Sequence, residues 1–372
     1  MRNLIITQTI GEGHNFIARA IESALTLRGE ECRVIQLFGY SEKEVARQNN
    51  LFLNAIKFFP HVYEYFWEKL RERKSEVPNF FIKRVIKKCS KYLLKEISEY
   101  SPDKIICTHN NAGAIISYFK KNNKISPFIK TFGIATDFCA YPGWESCVNL
   151  DYLFTPHLFT NKEYIEKGFK ETQLLAYGIP VAPKFFYYNS KSGCRKFLNL
   201  PKDKFTISIV GGGNCLTKAS SLLKQILKSC FDIQIVVVTG KNEKEYLAVE
   251  KIIKKYNTKN VLNIGFCDCM EKVYTASDLI FTRAGGSTIS EQITKQVPIV
   301  FRENLIINER INKKLFVSLG AGVSMGKISD AAKILQDVLK NRNLLKNIKN
   351  CQKTLKQENS TFNIADFIIK TS

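Results

Sequence analysis

The chain is poor in acid. It carries 34 Asp and Glu against 56 Lys and Arg, a formal net charge of +22, and residues 80–95 contain no acidic side chain at all. It also lacks any apolar run near the roughly 20 residues that a membrane-crossing helix needs. Eleven cysteines form no Cys-x-x-Cys pair and no metal-ligand spacing, the closest two being Cys267 and Cys269. This leaves no zinc-ribbon or redox motif; Cys107 and Cys139 lie in apolar runs, as small buried thiols do, and a reducing cytoplasm is the simplest setting. There is no internal repeat and no low-complexity tract. The N-terminal "MRNLIITQTIGEGHN" has too short an apolar run for a signal peptide and reads as a first strand. The charge surplus calls for an anionic partner (a membrane surface, an acidic substrate or nucleic acid), or reflects a Lys- and Ile-rich compositional habit.

What is present is rhythm. Apolar β-rich runs at 3–7, 32–38, 104–108, 131–135, 152–155 and 172–178, then at 205–210, 233–239, 261–266, 278–282 and 298–301, alternate with helix-length amphipathic segments. Continuous apolar strands separated by helices predict parallel sheets covered on both faces. The chain is long for one core, and "IITQTIGEGHN" and "ISIVGGGN" each run a strand into a glycine-rich turn that opens a helix. We expect an α/β protein of two doubly wound domains: 1–185, a linker at 186–204, 205–356, and a C-terminal helix within 357–372 that returns to the first domain. An insertion at 47–95 breaks the rhythm with dense aromatics and, in its second half, Lys83, Arg84, Lys87 and Lys88 beside Phe80 and Phe81. Such a segment suits either an anionic lipid surface or a helix pair packed on its own sheet with solvated lysines.

The stretch "RAGGSTISEQ", 283–292, follows the run "SDLIF". Glycines without Cβ atoms let backbone N–H groups approach a ligand, and the helix that follows turns its positive end toward the same place. Phosphate suits that turn. Glu291, one turn into the helix, would repel phosphate but accepts well from two vicinal hydroxyls, so a nucleotide with its ribose on Glu291 fits both features.

The segment 265–301 is similar to the donor-nucleotide segment of GT-B glycosyltransferases. More narrowly, it resembles the family of monogalactosyldiacylglycerol synthases and processive diacylglycerol glucosyltransferases, relatives of the N-acetylglucosaminyltransferase of peptidoglycan synthesis. The matching residues are Gly265-Phe266, Met270, Ala276-Ser277-Asp278, Arg283 to Glu291 in the pattern G-G-x-T-x-x-E, and Val297-Pro298. "NERIN", 308–312, resembles the family's Q-E-x-x-N beside the donor sugar, with Asn308 for glutamine and Glu309 and Asn312 matching. Upstream, "TIGEGHNFIARAIESAL", "THNNAGA", "IATDFCAYPGWESCVNLDYLF" and "YGIPVAPKF" resemble the same family in the same order, with Glu12 where the family has glycine and Tyr141 where it has histidine.

The resemblance implies a GT-B fold with a cleft between its halves, and transfer of a hexose, glucose or galactose, from a UDP-sugar to a diacylglycerol-type lipid. The expected setting is the inner face of the cell membrane, the protein cytoplasmic and peripheral, with inversion at the anomeric carbon and nucleic acid no partner. His14, after Gly11 and Gly13, titrates near neutrality and suits proton removal from the acceptor. Asp137, at a strand's carboxyl end, is the base itself or the group that orients His14. Gly211, Gly212, Gly213, Gly285, Gly286, Ser287 and Thr288, with Arg283, are expected to hold the diphosphate. No Asp-x-Asp pair exists to hold a metal, so no cofactor is expected. Trp144 matches the family tryptophan near acceptor entry and is expected either on a lipid-facing rim with 80–89 or in the core. Rival readings are N-acetylglucosamine transfer to a polyprenyl-linked acceptor, UDP-sugar 2-epimerisation, and a non-catalytic membrane-binding relative.

Overall fold

The computed structural model describes residues 1–9, 12–39, 44, 47, 58–72, 80–212, 218–229, 231–302 and 306–371, without the side chains of Pro60 and Phe81. Gly11, Gly213, the Phe81 side chain and part of the insertion lie outside the described residues. The chain divides into two compact units, Met1–Pro183 with Gln357–Ser372, and Lys184–Lys356.

The first unit runs β1 (Arg2–Thr7), α1 (Gly13–Thr26), β2 (Glu31–Gln36), α2 (Pro60–Arg71), α3 (Phe80–Tyr100), β3 (Lys104–Cys107), α4 (Asn110–Lys121), β4 (Lys130–Ile134), β5 (Tyr152–Phe154), α5 (Leu158–Glu166) and β6 (Leu174–Leu175). Its sheet has the order β2-β1-β3-β4-β5-β6, every pairing parallel. The second runs α6 (Lys191–Phe197), β7 (Thr206–Val210), α7 (Ala219–Leu227), β8 (Gln234–Val238), α8 (Glu243–Tyr256), β9 (Val261–Ile264), α9 (Met270–Ala276), β10 (Leu279–Thr282), α10 (Gly286–Lys295), β11 (Ile299–Phe301), α11 (Ile307–Ser318), β12 (Val323–Ser324), α12 (Ala331–Lys340) and α13 (Asn343–Leu355). Its order is β12-β11-β10-β7-β8-β9, again parallel throughout. The central strands are buried along their whole length, because helices cover both faces. Strand order reverses between β1 and β3 in one sheet and between β7 and β10 in the other. Ligands of open α/β sheets gather at those reversals, outside the carboxyl ends of the strands.

The last helix, α14 (Ser360–Lys370), packs on α1 of the first unit. It buries Ile364, Ala365 and Ile368, and Thr361 Oγ1 both donates to the Val181 carbonyl (2.6 Å) and accepts from the Val181 amide (2.9 Å). The buried Lys104 ammonium donates to the carbonyls of Ile368 and Ile369, capping the helix end.

Three details differ from the sequence reading. The segment 186–204 is not merely a linker: capped by Ser190, whose Oγ accepts from the Gly193 amide (3.1 Å), it forms α6 and packs Cys194, Leu198 and Leu200 on Val236, Val238 and Val273 of the second unit. The run 172–178 contributes only the two residues of β6 to the sheet. Trp144 is not on a rim. It is 3% exposed, lies edge-on to the Tyr164 ring at 6.3 Å, and sits so close over β4 that a Cβ on Gly133 would come within 2.9 Å of it. An aromatic of that size at the junction of β4, β5 and α5 is core. We expect Trp144→Ala to cost about 3–5 kcal/mol in urea unfolding, against a few tenths for a solvent-facing residue.

Candidate active site

At the reversal in the first sheet, the loops after β1 and β3 are stitched together. His14 Nδ1 lies 2.7 Å from the Thr108 carbonyl, and Asn111 Nδ2 donates to Gln8 Oε1 at 2.9 Å. A carbonyl only accepts, so Nδ1 carries the hydrogen and the lone pair of neutral His14 is on Nε2. Burial holds the His14 pKa below its ordinary 6.5, with the Thr108 carbonyl opposing. The imidazole is therefore a neutral base at physiological pH. Thr9, Asn15 and Gln36 form a polar network beneath it, with Asn15 Nδ2 donating to Thr9 Oγ1 (2.9 Å) and Thr9 Oγ1 3.1 Å from Gln36 Oε1.

Asp137 lies past the end of β4, with β3 standing between it and β1 in the sheet. It does not orient His14 through Nδ1, because that nitrogen is taken by Thr108. Its charge acts instead on Tyr63, Cys139 and Tyr141, adding to the burial that raises each of them. Tyr141, at the position where the family has histidine, shares a hydroxyl–hydroxyl hydrogen bond with Tyr63 of α2 (3.0 Å) and takes the edge of Trp67 at 5.9 Å. The departure from the family pattern is thus matched by the insertion that packs on it. Glu12, the other departure, pairs with Arg19 at 3.5 Å, which neutralises its charge next to Gly13 and His14.

In the second sheet, β10 ends at Thr282 and α10 begins at Gly286 with Gly285 as N-cap. The first intrahelical bond there runs from the Ile289 amide to the Gly285 carbonyl (2.9 Å), so the amides of Gly286, Ser287 and Thr288 precede the ladder, and a glycine cap has no side chain to occupy them. Asn312, fully buried on α11, donates from Nδ2 to the Ala284 carbonyl at 3.0 Å and fixes the turn. Glu291 is partly buried on α10; it accepts from the hydroxyl of buried Tyr274 at 3.3 Å, and removal from water pushes its pKa up to about 8. Gly265 and the exposed Phe266 follow β9, with the Lys241 ammonium 5.6 Å from the Phe266 ring centroid.

Two expected phosphate groups have other partners. The Gly211 amide donates to the Val238 carbonyl (3.1 Å), continuing the sheet, and Gly212, at φ +73°, makes the turn that follows. Arg283 grips Glu309 bidentately, Nε to Oε2 at 3.0 Å and Nη2 to Oε1 at 2.8 Å. Burial raises the Glu309 pKa and the guanidinium pulls it back. Arg283 thus spends its charge on Glu309, and Glu309 buttresses the turn instead of standing free beside a sugar; a Cβ on Gly285 would lie 3.7 Å from Glu309 Oε1. Asn308 sits in the first turn of α11.

On the insertion, α3 buries Ile82, Ile86, Cys89, Leu93 and Ile97 while Lys83, Arg84, Lys87 and Lys88 face outward. Phe80 is 71% exposed, and α2 leaves Val62, Tyr65 and Phe66 in the open while burying Trp67. Among the described residues, no helix is long and apolar enough to cross a membrane. His109, Asn111, Gln8, Asn15 and Tyr63 were missed as site residues. "THNN" directly after a predicted strand was the available signal for the first two.

Two doubly wound parallel units, one ending strands around a histidine and the other opening a helix on Gly-Gly, have the architecture of the GT-B fold. The whole chain is similar in fold to MurG of Acinetobacter baumannii (TM-score 0.67, 16% identity, covering 100% of this chain and 99% of that one). It is also similar to UDP-GlcNAc 2-epimerase from Neisseria meningitidis bound to UDP-GlcNAc (0.63, 13%, all of both chains). The family model of monogalactosyldiacylglycerol (MGDG) synthase matches residues 14–181, and that of the glycosyltransferase family 28 C-terminal domain matches 206–368. Together the two matches take in most of the chain, which thus combines a monogalactosyldiacylglycerol synthase domain with a glycosyltransferase family 28 C-terminal domain. Among its relatives are the processive diacylglycerol beta-glucosyltransferases of Bacillus pumilus (24% identity over 374 residues, 99% of this chain and 94% of that protein) and Bacillus mycoides (26% over 375 residues, 98% and 92%).

The Arg283–Glu309 pair makes a direct prediction. Arg283→Ala removes the guanidinium from a buried carboxylate and should cost about 3 kcal/mol in thermal or urea unfolding. Adding Glu309→Gln should recover much of that loss, whereas a pair worth nothing would give additive effects near zero.

Proposed function

We propose that the protein transfers glucose from UDP-glucose to the free hydroxyl of a diacylglycerol-type lipid. The observation that carries this reading is His14, a neutral imidazole whose Nε2 lone pair is freed by the Thr108 carbonyl, within the half matched by the MGDG synthase model. The names of the relatives support the donor and acceptor. Nε2 removes the hydroxyl proton as the lipid oxygen attacks the anomeric carbon; the bond to the diphosphate breaks, UDP leaves, and the configuration at the sugar inverts. The amides of Gly286, Ser287 and Thr288, with the positive end of α10, stabilise the leaving diphosphate, and Glu291 accepts from the ribose hydroxyls. Backbone amides take the place of a metal held by Asp-x-Asp. The exposed aromatics of α2 and the basic face of α3 rest on anionic lipid at the cytoplasmic face of the membrane.

The test is transfer from radiolabelled UDP-glucose, UDP-galactose or UDP-N-acetylglucosamine to diacylglycerol in anionic vesicles. Glucosyl lipid should form with EDTA present, and His14→Ala should slow it by at least ~100-fold. Epimerised sugar nucleotide without lipid product, or a rate unchanged in the variant, would overturn the reading.

Glu291 adds a pH dependence. A carboxylate accepting two ribose hydroxyls must be ionised, and its pKa of about 8 in the free protein leaves it mostly protonated at neutral pH. Binding then favours the deprotonated form, so affinity falls as pH drops through 8, by up to about tenfold per unit. Calorimetry with UDP-glucose, whose own diphosphate does not titrate in this range, should show affinity rising from pH 6 to 8. Glu291→Gln should bind weakly and without that slope.

A further inference from the structure

His109 has no assigned role, yet its ring lies against that of His14, with centroids 4.5 Å apart and planes tilted by 60°. It is buried, and its Nδ1 accepts from the Asn111 amide at 3.0 Å as the N-cap of α4. An amide only donates, so His109 is the Nε2–H tautomer, the reverse of His14. A proton added at Nδ1 would set two donors face to face, so His109 stays neutral while its cap bond lasts. The carbonyl that orients His14 belongs to Thr108, the peptide joined directly to His109.

We propose that His109 is a positioning residue for His14: by capping α4 it fixes the Thr108 carbonyl that orients the base, and its neutral ring stands against that imidazole in place of water. This rests on His14 being the base of the proposed transfer. Burial is the leading influence on both rings, with the Thr108 carbonyl acting next on His14 and the His14 charge next on His109. The charged groups nearest along α1 are Glu12 and Arg19, which pair with each other; the loop partners Gln8 and Asn111 are neutral.

Two variants separate the cap from the ring. Asparagine is a good N-cap without an imidazole, so His109→Asn should keep the wild-type melting temperature, whereas His109→Ala should lower it. In both, water reaches His14 and its titration midpoint rises toward 6.5. The acid limb of kcat/KM should move to higher pH, so activity is lost on that limb, with the plateau at high pH little changed in His109→Asn. Long-range proton–nitrogen NMR of the free protein reads the same quantity without any substrate. With only four histidines in the chain, single replacements assign His14, and its spectrum should report an Nδ1–H tautomer titrating below 6.5 in the wild type and higher in His109→Asn. An unchanged His14 midpoint, or an Nε2–H tautomer of His14 in the wild type, would overturn the proposal. Loss of transferase activity in every sugar and lipid tested, with the NMR shift intact, would fault the functional reading and leave the positioning role standing.

Discussion

A backbone carbonyl cannot donate, and the site in the first unit depends on that restriction. Had Thr108 presented an amide to His14, Nδ1 would hold the lone pair and the ring would turn its hydrogen toward any acceptor hydroxyl. The 2.7 Å contact to a carbonyl makes the opposite choice, and burial keeps the ring uncharged. The contact exists only because β1 and β3 are neighbours. In the order β2-β1-β3-β4-β5-β6 the chain leaves β1 toward one side and β3 toward the other, so the loops after them meet over the sheet edge, ninety-four residues apart in sequence.

The second unit uses the same topology for a different purpose. Its reversal lies between β7 and β10, and the turn after β10 is held from beneath by α11: Asn312 holds the Ala284 carbonyl, and Glu309 holds Arg283. These side chains do not need to touch a ligand to matter. With them in place, the turn presents the amides of Gly286, Ser287 and Thr288 at a helix start whose geometry is set in advance. A preorganised dipole costs no rearrangement at the moment of bond breaking, which is where such groups are most effective.

The sequence carried the class of fold in full, because parallel strands buried on both faces must be continuously apolar, and "ISIV", "IVVV" and "LIFT" are so in any context. It also carried the Gly-Gly turn, since Gly285 caps the helix that opens at Gly286. It did not carry what depends on long-range pairing. Arg283 and Glu309 looked like independent ligands because 26 residues separate them, and only the packing of α11 under the turn shows them to be one ion pair. Trp144 was placed at acceptor entry by its match to the family's tryptophan; burial of Glu145 against Lys167 at 3.2 Å makes its flank interior as well. His109 was hidden by its own chemistry, since a histidine that caps a helix reads in sequence like any loop polar residue.

The charge surplus can now be placed. Within the described parts of the two sites the charges largely cancel: Arg283 with Glu309, Arg19 with Glu12. The +22 is therefore carried elsewhere, and the clearest share of it is on α3, where Lys83, Arg84, Lys87 and Lys88 face outward over an apolar stripe that is already buried. A helix that needed its lysines only for solubility would balance them with glutamates at i+4, as Lys95 and Glu99 do at its far end. Earlier in α3 the residue one turn on is another cation: Lys83 is followed by Lys87, Arg84 by Lys88 and Lys87 by Lys91. Cations concentrated on one face, beside exposed Phe80 and next in sequence to a helix with open aromatics, fit the extended anionic surface proposed above better than they fit a single small anion.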